Sequence, residues 1–136
     1  MKKQKRSDAR EMVFTALFGL DENDDIKELV NDLISENPDS ELDTEYITSV
    51  LEGIREKKPE LEEEISKRLK KGWTINRISK SSLIILTLAV YEMKYVLDVP
   101  PKVAINEAVN LAKKYGADDD SRFVNGVLGN IFRTLQ

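Results

Sequence analysis

The chain has 136 residues, the length of one domain, and its 40% apolar and 34% charged residues are typical of a folded globular protein. It contains neither Cys nor His, which excludes disulfides, thiolate metal sites, Cys nucleophiles and imidazole bases. We therefore expect neither a metal nor a cofactor. The longest apolar run, residues 83–91, is far shorter than the roughly 20 residues that a membrane span requires, so we expect a cytoplasmic protein without membrane contact.

Charge is divided unevenly along the chain, although the net charge is only −4. Residues 1–20 carry five basic and two acidic side chains, residues 21–64 carry four and seventeen, and residues 65–136 carry twelve and six. A basic N-terminal segment that folded against the basic C-terminal half would form a positive surface for a polyanion. Charge segregation of this size is also common on helical surfaces, and on its own it does not decide for a nucleic-acid partner.

Apolar residues recur at a helical spacing almost throughout the chain, and strand-like alternation is nearly absent. Asp8, with Glu11 three residues later, forms a capping-box pattern at the start of the first helix. The second helix ends where Asn37 precedes a proline, and Asp43 caps the third. Pro59 fits the first turn of a fourth helix, because that position needs no amide donor.

A fifth helix begins at Ser81 or Ser82 and is apolar nearly all round, which is typical of a central buried helix. Pro100 and Pro101 separate it from the sixth helix, and Gly116 stands at the C′ position of the sixth. The seventh helix follows after a short acidic link. The pattern therefore predicts an all-α, seven-helix bundle over about residues 8–20, 25–36, 43–54, 59–71, 81–97, 101–115 and 121–135.

The acidic and glycine-containing stretches do not form a recognisable catalytic or metal site. Residues 62–64 are consecutive glutamates, which splay around a helix instead of converging on a substrate. Residues 118–120 are aspartates, but Phe123 stands where a calcium loop needs its glycine. Gly126 and Gly129 lie within a helical stripe, where we expect them to allow close helix packing or the approach of a ligand backbone. We therefore predict that the protein is not an enzyme.

Two basic clusters are candidate contacts for a nucleic acid. The N-terminal cluster consists of Lys2, Lys3, Lys5, Arg6 and Arg10. Such an arm can neutralise phosphates and become ordered on RNA, and the alternative interpretation is a frayed, solubilising terminus. The second cluster consists of Lys113, Lys114 and Arg122, beside Tyr115 and Phe123. Exposed aromatics among cations stack on single-stranded bases; alternatively Phe123 is a core residue and Tyr115 a cap over Gly116.

Several strings of residues carry a resemblance to a known family. Residues 9–11 and 16–18, Ala-Arg-Glu and Ala-Leu-Phe, match an opening helix, and residues 89–93, Ala-Val-Tyr-Glu-Met, match a central helix. The longest match covers Val-Pro at 99–100, Lys-Val-Ala-Ile-Asn-Glu-Ala-Val at 102–109, Leu-Ala-Lys at 111–113, Gly116 and Phe-Val-Asn-Gly-Val-Leu at 123–128. These strings resemble the NusB family of bacterial transcription antitermination factors, and only residues 21–70 match weakly.

The resemblance implies one domain over residues 1–136 made of two packed helical lobes, about 1–75 and 76–136, with the N-terminal arm near the C-terminal lobe. It implies an RNA-binding protein without enzymatic activity. Members of the family bind the single-stranded boxA element of ribosomal RNA leaders as a heterodimer with NusE, a ribosomal protein of the small subunit. That complex joins other Nus factors on RNA polymerase and suppresses termination.

The family's RNA-contacting regions fall on both basic clusters. The implied RNA-binding residues are Lys3, Lys5, Arg6, Arg10, Lys113, Lys114, Tyr115, Gly116, Arg122 and Phe123. Candidate contacts with NusE are Arg77, Lys80 and Ser82. The arm departs from the family's Arg-rich pattern by its lysines and by Gln4, and lysine lacks the forked phosphate contacts of arginine.

Two other functions remain open from the sequence. A similar helical domain precedes some ribosomal RNA cytosine methyltransferases, so the chain could serve as an accessory to such an enzyme. It could also be a helical scaffold or homodimer without RNA specificity, in which dimerisation hides the RNA site. The sequence does not decide between a monomer and a homodimer.

Overall fold

The computed structural model describes residues 1–135, most of which lie in helices. Six α-helices occur in that range, namely α1 (Arg6–Gly19), α2 (Ile26–Glu36), α3 (Thr44–Ser66), α4 (Lys80–Tyr95), α5 (Pro101–Tyr115) and α6 (Asp120–Leu135). The remaining elements are the short strands β1 (Lys2–Lys3) and β2 (Ser40–Glu41) and a 3₁₀ turn, Ile75–Arg77. The predicted all-α class is confirmed, and the predicted number of seven helices is wrong.

The difference arises in α3, which joins the predicted third and fourth helices into one. Ile54, Leu61 and Ile65 are all buried and keep one helical face across Pro59. Pro59 itself is exposed, so water can replace the backbone hydrogen bond that proline removes. Burial of a continuous apolar stripe therefore outweighs the cost of an interior proline, which is roughly 3 kcal/mol.

The helix starts show which of the predicted caps form. The cap predicted at Asp43 forms, because its Oδ1 accepts a hydrogen bond from the amide of Tyr46. Asp25 accepts hydrogen bonds from the amides of Lys27 and Glu28 and begins α2 at the residue where that helix was predicted to start. The capping box predicted at Asp8 is wrong, because α1 begins at Arg6 and its N-cap, Lys5, makes no side-chain cap. The N-cap of α4 lies two or three residues earlier than predicted, at Ser79, whose hydroxyl accepts a hydrogen bond from the amide of Ser82.

The chain divides into two compact units within α3, at residues 56 and 57. In the N-terminal unit, residues 1–56, the buried apolar side chains include Val13, Phe14, Ile26, Val30, Ile47, Val50 and Leu51. In the C-terminal unit, residues 57–136, α4 packs against both α5 and α6, and α5 packs against α6. Residues 85–90 of α4 are all buried, as expected for a central helix. The predicted lobes, about 1–75 and 76–136, stay a prediction.

Within the C-terminal unit a polar cluster fixes the end of α4 to α3. The Tyr95 hydroxyl donates a hydrogen bond to the Glu60 carboxylate, and Lys94 Nζ lies 3.4 Å from the same carboxylate oxygen. Lys57 Nζ lies 4.8 Å from the centre of the Tyr95 ring. The hydrogen bond from Tyr95 lowers the pKa of Glu60, and the same bond raises the pKa of Tyr95 to about 12.

We expect Glu60→Gln to lower the pKa of Tyr95 toward its ordinary value of 10.0, because the carboxylate is the main cause of the shift. A tyrosine with a raised folded-state pKa contributes stability below pH 10 and loses it as the pH rises through about 12. Phenolate absorbance followed during alkaline titration measures the change. A Tyr95→Phe variant isolates the contribution of this ring, and identical curves for Glu60→Gln and the parent would contradict the assignment.

Candidate nucleic-acid interface

The N-terminal basic arm, residues 2–10, is ordered by the short parallel pairing of β1 with β2. Lys2 pairs with Ser40 and Lys3 with Glu41, and the amide of Gln4 donates to the Glu41 carbonyl at 2.9 Å. The backbone of the arm is therefore fixed, while the side chains of Lys3 and Lys5 are exposed. In this structure the arm is an ordered element of the N-terminal unit, unlike the frayed terminus of the alternative interpretation.

Gln4 anchors the arm to the start of α3. Its Oε1 accepts a hydrogen bond from the amide of Asp43 at 2.8 Å, and its Nε2 lies 3.2 Å from the sulfur of Met12. A neutral amide can donate and accept at once, which neither lysine nor arginine can do. The departure from a wholly basic arm therefore has a structural role at Gln4.

Arg6 is oriented by an acidic and an aromatic neighbour. Its Nε lies 3.1 Å from Asp43 Oδ2, and its guanidinium carbon lies 4.3 Å from the centre of the Tyr46 ring. The side chain keeps 37% of its surface exposed. Arg6 can therefore meet a phosphate at the surface, but any such contact shares the guanidinium with Asp43 and Tyr46.

Arg10 differs from the other cations of the arm because it is buried. Only 3% of its surface is exposed, and its guanidinium carbon lies 6.0 Å from the ring centre of Tyr46, which is itself buried. A side chain in this position stabilises the unit through packing and electrostatics and does not present a charge at the surface. RNA contact by Arg10 stays a prediction, and the structure places its side chain in the interior.

The second cluster begins at the end of α5, where Lys113, Lys114 and Tyr115 are all exposed. Lys114 Nζ lies 5.4 Å from the centre of the Tyr115 ring. Lysines in the last turn also stabilise the negative end of the helix dipole. This part of the cluster therefore combines a local stabilising role with cations and an aromatic ring that are accessible from solvent.

Gly116 ends α5 with extended backbone, φ −100°, whereas a glycine at the C′ position of a helix commonly has the left-handed conformation. A Cβ at this position would lie 2.7 Å from Asp120 Oδ2 and 2.8 Å from the Ala112 carbonyl oxygen. The same Asp120 carboxylate accepts a hydrogen bond from the amide of Ala117. Glycine is thus required by the close approach of the chain in the turn between α5 and α6.

Gly116→Ala is expected to lower the free energy of unfolding by about 1–3 kcal/mol, because the added methyl group would lie 2.8 Å from the backbone carbonyl oxygen of Ala112. Urea denaturation followed by circular dichroism measures the change. Gly126→Ala is the matched control, since its added methyl group meets nothing within 4 Å, and helix propensity favours alanine by roughly 1 kcal/mol. Equal urea midpoints for Gly116→Ala and the parent would refute the steric explanation.

Arg122 and Phe123 lie in the first turn of α6 and join the second cluster to Trp73. Arg122 is exposed, and Phe123 is half-buried with its ring centre 6.3 Å from that of Trp73. Phe123 is therefore not the fully buried core residue of the alternative interpretation. Trp73 is 51% exposed although it is a large apolar side chain. The sequence pattern places Trp73 between the predicted fourth and fifth helices, and the available signal was that this single tryptophan lies outside any helical stripe.

The two glycines of α6, Gly126 and Gly129, are not explained by helix packing. A Cβ at Gly126 would meet nothing within 4 Å, and one at Gly129 would meet only Arg133 at an ordinary distance of 3.7 Å. Helix packing, one of the two roles predicted for them, is therefore wrong. The other predicted role, room for a ligand, is left for Gly126, which is exposed.

The candidate contacts with a partner protein lie at the start of α4 and just before it. Arg77 and Lys80 are exposed, and the Arg77 guanidinium carbon lies 5.7 Å from the centre of the Trp73 ring. Ser82 is only 2% exposed. Arg77 and Lys80 are thus the two candidates whose side chains reach the surface.

Within residues 1–135 no cluster of three or more acidic side chains is arranged to hold a metal ion. Over the same range, none of the helices has the length and apolar character needed to cross a bilayer. Together, the helical fold, the ordered basic arm and the exposed aromatics among cations define a candidate nucleic-acid-binding protein of the all-α class.

Comparison with known proteins gives the family. The NusB family model matches residues 7–133, and the chain belongs to that family. It is 42% identical to the transcription antitermination protein NusB of Limosilactobacillus fermentum over 129 residues, which are 93% of this chain and 92% of the relative. The sequence resemblance is confirmed, and membership of a family of transcription antitermination proteins confirms the prediction of a non-catalytic protein.

Solved structures agree with this assignment. The fold is similar to that of T. maritima NusB, with a TM-score of 0.84 and 33% identity over 98% of this chain and 93% of that one. It is also similar to a chain in a crystal structure of the antitermination factors NusB and NusE in complex with dsRNA. There the TM-score is 0.79 and the identity 27%, over 95% of this chain and 96% of that one.

Proposed function

We propose that the chain binds the single-stranded boxA element of ribosomal RNA leaders together with NusE and thereby supports processive transcription. The observation that carries the proposal is the basic arm, whose backbone is fixed by β1 and β2 while Lys3 and Lys5 extend into solvent. Fixed cations bind phosphates at a lower entropic cost than those of a disordered tail. The solved complex of the antitermination factors NusB and NusE with dsRNA supports NusE and RNA as partners.

The second cluster contains aromatic rings, which can contact RNA bases and are not required for binding phosphates. Tyr115 is 39% exposed beside Lys114, and Phe123 lies beside the exposed Arg122. Bases that are unpaired can stack on such rings, whereas bases within a duplex cannot. Recognition of a single strand is therefore favoured over recognition of a duplex.

We place the NusE contact at the start of α4, on the exposed side chains of Arg77 and Lys80. Charged side chains at the rim of an interface increase the rate of association with a partner and contribute to specificity. The heterodimer then joins other Nus factors on RNA polymerase in the cytoplasm.

Binding of a fluorescently labelled boxA-like RNA and of a scrambled RNA, measured by anisotropy with and without NusE, tests the proposal. The titrations are made at two salt concentrations, because phosphate contacts alone give binding that is weak and steeply salt-dependent. We expect preference for the boxA-like RNA and a stronger preference when NusE is present. Equal binding of both RNAs with a steep salt dependence would overturn the proposal.

Light scattering on the same samples distinguishes the proposed function from the alternative, a homodimeric helical scaffold. A homodimer that persists with RNA present and shows no sequence preference is the result expected of a helical scaffold. A Lys80→Glu variant should lose the enhancement by NusE while keeping the RNA affinity of the protein alone, because Lys80 is exposed and is not part of the aromatic surface at Trp73. Unchanged enhancement in this variant would move the NusE contact away from the start of α4.

A further inference from the structure

A groove of about 470 Å³ lies in the C-terminal unit between the segment after α3 and the first turns of α6. Trp73 and Phe123 supply its aromatic wall, and Gly126 and Val127 lie along α6. The family resemblance implies RNA contact for two of its lining residues, Arg122 and Phe123, but assigns no role to Trp73 or to the groove itself. We propose that it holds one unstacked base of the bound single-stranded RNA, with the adjoining phosphate on its cationic rim.

Aromatic surface is the first argument for this occupant. Trp73 leaves 51% of its surface exposed, and its ring lies 6.3 Å from that of Phe123 with a tilt of 36°. Arg77 contributes a cation 5.7 Å from the centre of the same tryptophan ring. A base can cover these rings regardless of its identity, because every base has a π face.

Charge is the second argument, and it favours a polyanion over an apolar peptide. The rim carries the cations of Arg68, Lys70 and Arg122 against the single carboxylate of Asp119. The Arg68 side chain keeps 29% of its surface exposed, and its guanidinium lies 3.7 Å from Glu64 in a loose ion pair. A partly exposed arginine with a loose ion pair, at the edge of an aromatic groove, is suited to a phosphate oxygen.

The space beside Gly126 is the third argument, because it explains why a residue that destabilises the helix stands at this position. Gly126 lies inside α6, where glycine is roughly 1 kcal/mol less favourable than alanine. Nothing lies within 4 Å of the position that its Cβ would occupy, so packing within the protein does not require it. A side chain there would project into the groove that a base is proposed to enter.

Tryptophan fluorescence tests the groove directly, since Trp73 is the only tryptophan of the chain. The proposal rests on the proposed RNA-binding function, so RNA binding is measured in parallel by anisotropy of the labelled boxA-like RNA. We expect this RNA to quench the emission of Trp73, and inorganic polyphosphate at the same charge concentration to leave it unchanged. Polyphosphate carries the charge of the backbone but has no bases to stack.

The outcomes distinguish the two proposals. RNA that binds without quenching, or polyphosphate that quenches equally, would overturn the base groove and leave the RNA-binding function intact. A change in emission on adding NusE alone, with none on adding RNA, would assign the groove to a protein partner instead. Absence of any RNA binding would overturn the proposed function and the base groove together.

Gly126→Leu provides a second test in which loss of folding is not the explanation, because leucine favours the helix over glycine. We expect it to weaken RNA binding by about tenfold or more, the contribution of one stacked base. Thr134→Leu places the same side chain at an exposed position of α6 outside the groove and should leave RNA affinity unchanged. Trp73→Phe should retain more affinity than Trp73→Ala. Parental affinity in Gly126→Leu would overturn the proposal.

Discussion

Arg10→Ala is expected to lower the free energy of unfolding by about 2–4 kcal/mol, which corresponds to a fall in Tm of roughly 6–12 °C for a chain of this size. Arg10 is only 3% exposed, and its guanidinium lies over the buried ring of Tyr46. Alanine would remove the buried charge together with the long aliphatic stem. Since total stabilities are about 5–15 kcal/mol, the loss is a large part of the whole.

Thermal and urea denaturation followed by circular dichroism measure this effect. Lys5→Ala is the matched control, because it removes an exposed cation of the same arm, and it should leave Tm within about 2 °C of the parent. RNA titrations are then made at a temperature where both variants are folded. A variant of Arg10 with parental stability and a reduced salt dependence of RNA binding would show that Arg10 leaves the interior to contact phosphate.

The parts of the fold that the sequence predicted are those controlled by nearby residues. The two prolines at the start of α5 and the apolar character of α4 are local features. The structure has α5 over the predicted residues 101–115, and α4 begins and ends within two residues of its predicted bounds. The continuity of α3 was not predictable from local propensity, because a proline normally starts or breaks a helix. It depends on burial of Leu61 and Ile65 on the same face as Ile54, and that is a tertiary property.

The candidate site shows the same division. The positions of the cations can be read from the sequence, but which of them are exposed cannot. Gln4 and Arg6 contact Asp43, which is 39 and 37 residues away, so the anchoring of the arm requires the fold. The contact of Trp73 with Phe123 likewise joins residues far apart in sequence. Helical periodicity carries no information about contacts between residues that are far apart in sequence. The sequence pattern therefore did not predict the groove.

The double variant Lys3→Ala, Lys5→Ala is expected to weaken RNA binding without destabilising the fold. Both side chains are exposed, and alanine keeps the backbone amides through which β1 pairs with β2. If each lysine neutralises one phosphate of a single strand, the slope of log affinity against log salt falls by about 1.4. The affinity at about 0.1 M salt should then fall by roughly 25-fold, because each retained counterion removes about a factor of five.

Anisotropy titrations of a labelled boxA-like RNA at four or more salt concentrations measure the slope. A double variant at Lys27 and Lys58, both also changed to alanine, removes the same net charge from exposed positions of α2 and α3. It controls for the general change in electrostatic potential and should leave the slope close to that of the parent. Equal losses in both double variants would mean that net charge alone drives binding, and the ordered arm would then have no specific part in it. A fall in slope of about 1.4 that is confined to the arm variant would instead assign one phosphate contact to each of Lys3 and Lys5, because screening by net charge affects both variants alike.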